Sequence, residues 1–238
     1  MTAIEGTILG KCLGLAAHER CVVLSDEGQF ARGLALYREA LRLGAESALI
    51  LQEPPTASIE LGAAAIATFA VSDVIVSVLP GSISHSGATR TALTRGARVV
   101  SMGASTGEML TRLLGCDLQA VAARSRRLAH ALTSASQARL TCPLGTDLEI
   151  DLEGRSGIAD DGDLRASGSL GNMPFGEGFI APPVARESSF RQLSPARGAS
   201  QSRLSSRCVA ASSQARTAAQ QDAGSATPSI AMAPPAET

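Results

Sequence analysis

The sequence predicts an α/β protein: a parallel-sheet N-terminal domain, then the start of a β-rich second domain and a disordered tail. Three observations carry this expectation. Short, unbroken apolar runs alternate with stretches of helical period over the first part of the chain. The period shortens to two near residue 146. Beyond residue 182 large apolar residues become scarce. The expected domains are 1–137 (α/β), 138–182 (partial β-rich second domain) and 183–238 (low-complexity tail).

The elements follow in order. Cys21-Val22-Val23-Leu24-Ser25 reads as a buried parallel strand, apolar on both faces. Asp26, with Gln29 three positions on, has the spacing of a helix N-terminus. Phe30, Leu34, Tyr37 and Leu41 then recur at helical spacing, and Gly44 supplies a left-handed C-terminal residue. Ala48–Leu51 reads as a second strand, ended by Pro54-Pro55. An alanine-rich helix over 62–70, a strand at Val74–Val78, a helix over Ser86–Arg95 and a strand at Arg98–Met102 complete the alternation. A longer helix starts near Asp117, with Leu118, Val121, Ala122, Leu128, Ala129 and Leu132 on its apolar face. Thr146–Leu152 alternates strictly, as a half-buried strand does.

After Pro182 the chain is mostly alanine, serine, arginine, glutamine and proline, too poor in apolar bulk to offset its ordering entropy. Six arginines against three acids make it net +3, whereas residues 1–182 are net −4. The whole chain of 238 residues carries a formal charge of −1, with one tyrosine, five phenylalanines and no tryptophan. Neither a basic stripe nor stacking platforms for bases are present, so nucleic acid is not an expected partner. No apolar run reaches the ~20 residues of a membrane span. A soluble, cytoplasmic protein is expected. The five cysteines are dispersed, which suits reduced thiols better than a disulfide frame.

Candidate chemistry is sparse. Neither the Gly-x-x-x-x-Gly-Lys phosphate loop nor a Gly-x-Gly-x-x-Gly turn after the first strand occurs. Gly81–Gly87 sets hydroxyls beside His85 but lacks a nucleophile elbow. It reads as a loop in which Ser84 caps the next helix, leaving His85 near a strand end where open sheets place ligands. His18, His85 and His130 share no helical spacing, so no local histidine cluster for a metal is expected. Asp147, Glu149 and Asp151 share one strand face, which is read as the wet side of a half-buried strand rather than a cation site. The segment Gly171–Pro182 is glycine-rich and proline-bounded and carries one acid, Glu177. Local physics reads it as a tight turn entering a strand.

His18–Asp26, then Gly145-Thr146-Asp147-Leu148, then Asn172-Met173-Pro174-Phe175-Gly176-Glu177-Gly178-Phe179-Ile180-Ala181-Pro182 occur in that order. Together they resemble the aminopeptidase T-like family of metallopeptidases, often labelled leucyl aminopeptidases, over residues 5–182. The resemblance implies release of N-terminal residues from a peptide substrate by two divalent metals that activate a shared water. It makes Glu177 a metal ligand and implies no catalytic residue elsewhere in this chain. The other ligands it implies (a second glutamate, two histidines and an aspartate) would lie further downstream, yet no histidine follows His130. The expectation is therefore an inactive chain that does not hold the metals stably, with a reading frame shifted after codon 182. A related branch contains iron-dependent ring-opening dioxygenases acting on dihydroxypyridines. A third expectation is a non-enzymatic α/β domain binding a ligand or partner near His85. A homo-oligomer is compatible with each.

Overall fold

The computed structural model describes residues 4–52, 61–103, 105–141, 147–181, 190–192 and 229–233. Two compact units emerge. The first comprises residues 1–126 and 159–177, the second 127–158 and 178–238. The chain leaves the first unit within a helix and returns to it for nineteen residues.

The first unit is built on a five-stranded parallel sheet. Its strands are β1 (Arg20–Ser25), β2 (Glu46–Leu51), β3 (Val74–Ser77), β4 (Arg98–Ser101) and β8 (Leu170–Asn172), in the order β2-β1-β3-β4-β8. Alternate residues of β1, β3 and β4 enter different cores. Cys21, Val23, Val74, Val76 and Val100 pack with Leu36 and Ala40 of α2 (Phe30–Arg42), Leu110 of α5 (Gly107–Leu114) and the N-terminal helical segment. Val22, Leu24, Ile75 and Val99 pack with Ala65 and Phe69 of α3 (Ala63–Phe69) and Ala92 of α4 (Gly87–Thr94). Burial on both faces is why these strands read as unbroken apolar runs. The N-terminal segment is α1 (Ile4–Gly6), continued as a π-helical stretch over Thr7–Cys12.

The expected stripe on α2 is rotated in the structure. Phe30 and Leu41 are exposed, and the buried residues are Gly33, Leu36 and Ala40. Close packing decides this: a Cβ on Gly33 would lie 2.8 Å from the Ser25 side chain, so only the small-residue face fits against β1. The start signal acts one turn early, with the Gln29 amide donating to Asp26 Oδ1 at 2.7 Å before the helix begins at Phe30. Gly44 takes φ +86 at the other end, as expected. Helix α5 had no sequence expectation.

The returning segment is tied in by its backbone. Leu164 N–H donates to the Cys12 carbonyl (2.8 Å), Val99 N–H to Ser169 (2.8 Å) and Met173 N–H to Ser101 (3.0 Å). Leu164, Met173 and Phe175 complete the first core. Gly171, expected in a turn, is the middle of strand β8, where a Cβ would come within 2.6 Å of the Leu164 side chain.

Helix α6 (Leu118–Ser134) runs from the first unit into the second. Val121, Ser125 and Ala129 are buried, whereas Leu128, expected on the apolar face, is exposed. The second unit holds a four-stranded antiparallel sheet in the order β10-β6-β5-β11. Its strands are β5 (Gln137–Thr141), β6 (Asp147–Asp151), β10 (Phe190–Gln192) and β11 (Ser229–Ala233). Ala135, Ala138 and Leu152 are buried there with Leu132, Ile150 and Ile180 against them. Two stretches of the expected tail, β10 and β11, are strands of this sheet; the remainder of that tail lies outside the described residues. Short strands β7 (Ile158–Asp160) and β9 (Glu177–Phe179) pair with each other. No helix among the described residues is long and apolar enough to cross a membrane. Cys12 and Cys21 are buried free thiols and Cys116 an exposed one.

Candidate functional site

In the first unit β2 and β3 flank β1, so the chain reverses its direction of travel across the sheet at β1. Open α/β sheets place ligands beyond the carboxyl ends of their strands near such a reversal. The last positions of three neighbouring strands here are polar and in register: Ser77 of β3 opposite Ser101 of β4, and Ser101 opposite Asn172 of β8. Ser77 and Ser101 are fully buried, whereas Asn172 is exposed.

Two segments singled out in the sequence, 81–87 and 171–178, meet at this edge. The Ser84 hydroxyl donates to Asn172 Oδ1 at 3.1 Å. Ser84 in turn receives the Ser82 hydroxyl at 3.0 Å, and Ser82 receives the Ser101 hydroxyl at 3.4 Å. The loop is pressed tightly onto the segment that follows β4: a Cβ on Gly103 would lie 2.9 Å from the Ser82 amide nitrogen. Ser84 is therefore not the helix cap it was expected to be. That role falls to Ser86, whose hydroxyl accepts the Thr89 amide at 3.1 Å. His85 is exposed, and its carbonyl accepts from Arg90 Nη1 at 2.8 Å.

Beyond Asn172 the chain passes a cis Met173–Pro174 bond and buries Met173 and Phe175. It is then held by the Gly176 amide donating to the Asp160 carbonyl at 3.0 Å. Glu177 follows directly, exposed at the first position of β9. Its negative charge bears on Asp160, a half-buried carboxylate that the sequence reading passed over. Burial first, then the charges of Glu177 and Asp161, push Asp160 up to about 6, while the Asn172 backbone amide donating to it works the other way. The signal that could have found Asp160 is weak: it stands in an Asp160-Asp161-Gly162-Asp163 run that reads as an ordinary acidic turn. Asp161 is engaged by Arg126, and Asp163 is held near 2 chiefly by its hydrogen bond from Arg165.

Glu177 and Asp160 are two carboxylates, short of the three protein ligands that a non-haem iron or catalytic zinc centre usually needs. Among the described residues no three of His, Cys, Asp and Glu come together to hold a metal. Glu177 and Asp160 could each give a carboxylate to a metal, but the described residues by themselves do not complete a centre of the kind the sequence resemblance implies. His18 and His130 are exposed, on the turn before β1 and on α6. In the second unit Glu149 stands opposite Arg139 across the β5–β6 register, and Asp151 is exposed and accepts the Glu153 amide; Asp147's side chain lies outside the described residues. A separate cavity of about 210 Å³ in the first unit is largely apolar, lined by Ile4, Ile8, Leu36, Met102 and Leu110 with Glu5 and Arg32. It contains none of the residues expected to act.

A comparison with curated proteins gives no match. Among solved structures, the 2,5-dihydroxypyridine dioxygenase from Pseudomonas putida KT2440 is similar, with a TM-score of 0.63 and 18% identity over 76% of this chain and 55% of that one. This chain thus spans about half of that structure's length. Wild-type AmpT from Thermus thermophilus gives a TM-score of 0.49 and 16% identity, over 77% of this chain and 61% of that one. The family assignment differs from the aminopeptidase expectation. The family model described as "NicX: 2,5-dihydroxypyridine 5,6-dioxygenase" matches residues 11–188, and the chain belongs to that family.

Proposed function

We propose that this protein binds a hydroxylated pyridine at the carboxyl end of the parallel sheet, as a member of the ring-opening dioxygenases, and that Glu177 is its contact to a divalent metal. The observation that carries the reading is the family match across residues 11–188, which takes in the whole edge from Ser82 to Glu177. In such enzymes a bound iron supplies the redox chemistry that lets oxygen attack an aromatic ring. This chain's own contribution is positional. The β8 strand and the buried Met173 and Phe175 hold the Glu177 arm, and Asp160 sets a second carboxylate beside it.

The same reading holds that the chain alone does not complete the oxidation. Its three histidines are all exposed and lie on separate elements, whereas iron oxygenases of the open-site type use two histidines with one carboxylate. The test is an anaerobic titration of the full chain with 2,5-dihydroxypyridine, with and without Fe(II), followed by admission of oxygen on an electrode. Saturable binding that Fe(II) strengthens, and that Glu177→Gln uncouples from Fe(II), is expected, with no oxygen uptake above blank. Absence of saturable binding refutes the substrate class. Stoichiometric oxygen uptake refutes the incomplete-centre reading.

A further inference from the structure

The serine relay at the sheet edge has a fixed polarity. It begins at the Ile83 backbone amide, which can only donate and does so to Ser101 Oγ at 3.3 Å. Ser101 is fully buried, so its own proton needs a partner, and it goes to Ser82 at 3.4 Å. Ser82 also receives the Ser84 backbone amide at 3.3 Å, so both of its acceptor positions are taken and its proton goes to Ser84 at 3.0 Å. Ser84, unable to donate back to Ser82, donates to Asn172 at 3.1 Å. A group that must receive a hydrogen bond presents its carbonyl oxygen. Two backbone amides and the burial of the Ser101 hydroxyl thus decide which way an amide side chain faces three hydroxyls away.

We infer that Asn172 is a substrate-binding residue that offers its Nδ2 donors to an oxygen of the bound ring (a hydroxyl ionised to an aryloxide), and that Ser84 is the residue that positions it. The relay takes Oδ1 inward, so the NH₂ group faces away from it, on an exposed residue at the end of β8. The backbone of the same residue, five before Glu177 on the same arm, is committed as well: its N–H donates to Asp160. A donor held in one orientation costs less to engage than a free amide, and it discriminates against ligands with no acceptor oxygen there. The inference rests on the proposed hydroxypyridine site, since it names how one oxygen of that ligand is held.

The experiment is anaerobic equilibrium binding of 2,5-dihydroxypyridine to the full chain with Fe(II), followed by its ultraviolet spectrum at a pH where the ring hydroxyl ionises. Asn172→Ala is expected to weaken binding about tenfold, the loss of one charge-assisted hydrogen bond. Asn172→Asp keeps the shape and replaces the donor with a negative acceptor, so it should bind more weakly than Asn172→Ala. Ser84→Ala releases the amide without removing it; about threefold weakening is expected, restored by Ser84→Thr. A red-shifted aryloxide spectrum of the bound ligand should be lost in Asn172→Asp, which a residue with only a structural role would not cause. Wild-type binding left unchanged by Asn172→Ala, or Asn172→Asp binding as tightly as wild type, overturns this inference alone. No binding by the wild-type chain overturns it together with the functional reading.

Discussion

Asp160 offers a test in which the sign as well as the size follows from its surroundings. Its carboxyl is half-buried and faces the charges of Glu177 and Asp161, which together raise it from 3.8 to about 6. Between those two values the folded chain holds a proton that the unfolded chain has lost, so stability falls as pH rises from about 4 to about 6. A shift of about two pH units corresponds to at most about 3 kcal/mol, and solvent screening of a half-buried group reduces that to roughly 1–2 kcal/mol. Asp160→Asn removes the charge and keeps an acceptor for the Asn172 amide. It should leave stability at pH 4 nearly unchanged and raise it by roughly 1–2 kcal/mol at pH 7. Urea unfolding in EDTA at pH 4, 5, 6 and 7 measures this directly. The lowered groups Asp163, Asp73 and Glu39 act in the opposite sense, gaining stability above their folded values, and complete their change below about pH 5. They are common to both proteins, so the difference curve belongs to Asp160. Parallel curves for wild type and variant would show that Asp160 is not charged against its environment and would refute the argument.

Three further outcomes are expected. Phe69→Ala empties the centre of the core between the sheet and α3 and should cost about 3–5 kcal/mol in urea unfolding at unchanged m-value. Ser86→Ala removes the cap of α4 and should cost about 1 kcal/mol by the same assay, whereas Ser84→Ala should leave the helix start unaffected in amide exchange at Thr89. Gly103→Ala sets a methyl against the backbone of Gly81 and Ser82 and should cost about 1–3 kcal/mol, with exchange quickened at Ile83 and Ser84; a neutral result would mean the loop is not pressed on the segment after β4 as described.

The strands and helices of the first unit were legible because each is a local pattern. A strand buried on both faces must be apolar throughout, and Val22–Leu24, Val74–Val76 and Val99–Val100 are. Gly44 and Asp26 marked their turns by backbone chemistry that acts within a few residues. The rotation of α2 was not legible, because Phe30 and Leu41 satisfy the helical period as well as Leu36 does; only the close fit of Gly33 against Ser25 selects the face. The same holds for the branch of the family. The motif around Glu177 announced a metal-linked lineage, and the finer assignment needed the comparison over residues 11–188.

The sequence by itself determined the α/β class, the apolar strands and the entry into a strand from the glycine-rich segment that carries Glu177, since composition and spacing act along the chain. Only the tertiary structure decided that Gly171 belongs to a fifth strand, that Ser84 and Asn172 touch although 88 positions apart in sequence, and that Asp160 is pressed beside Glu177. Each of those depends on a chain that leaves the first unit and returns to it, and no local rule of spacing records where a returning segment will dock.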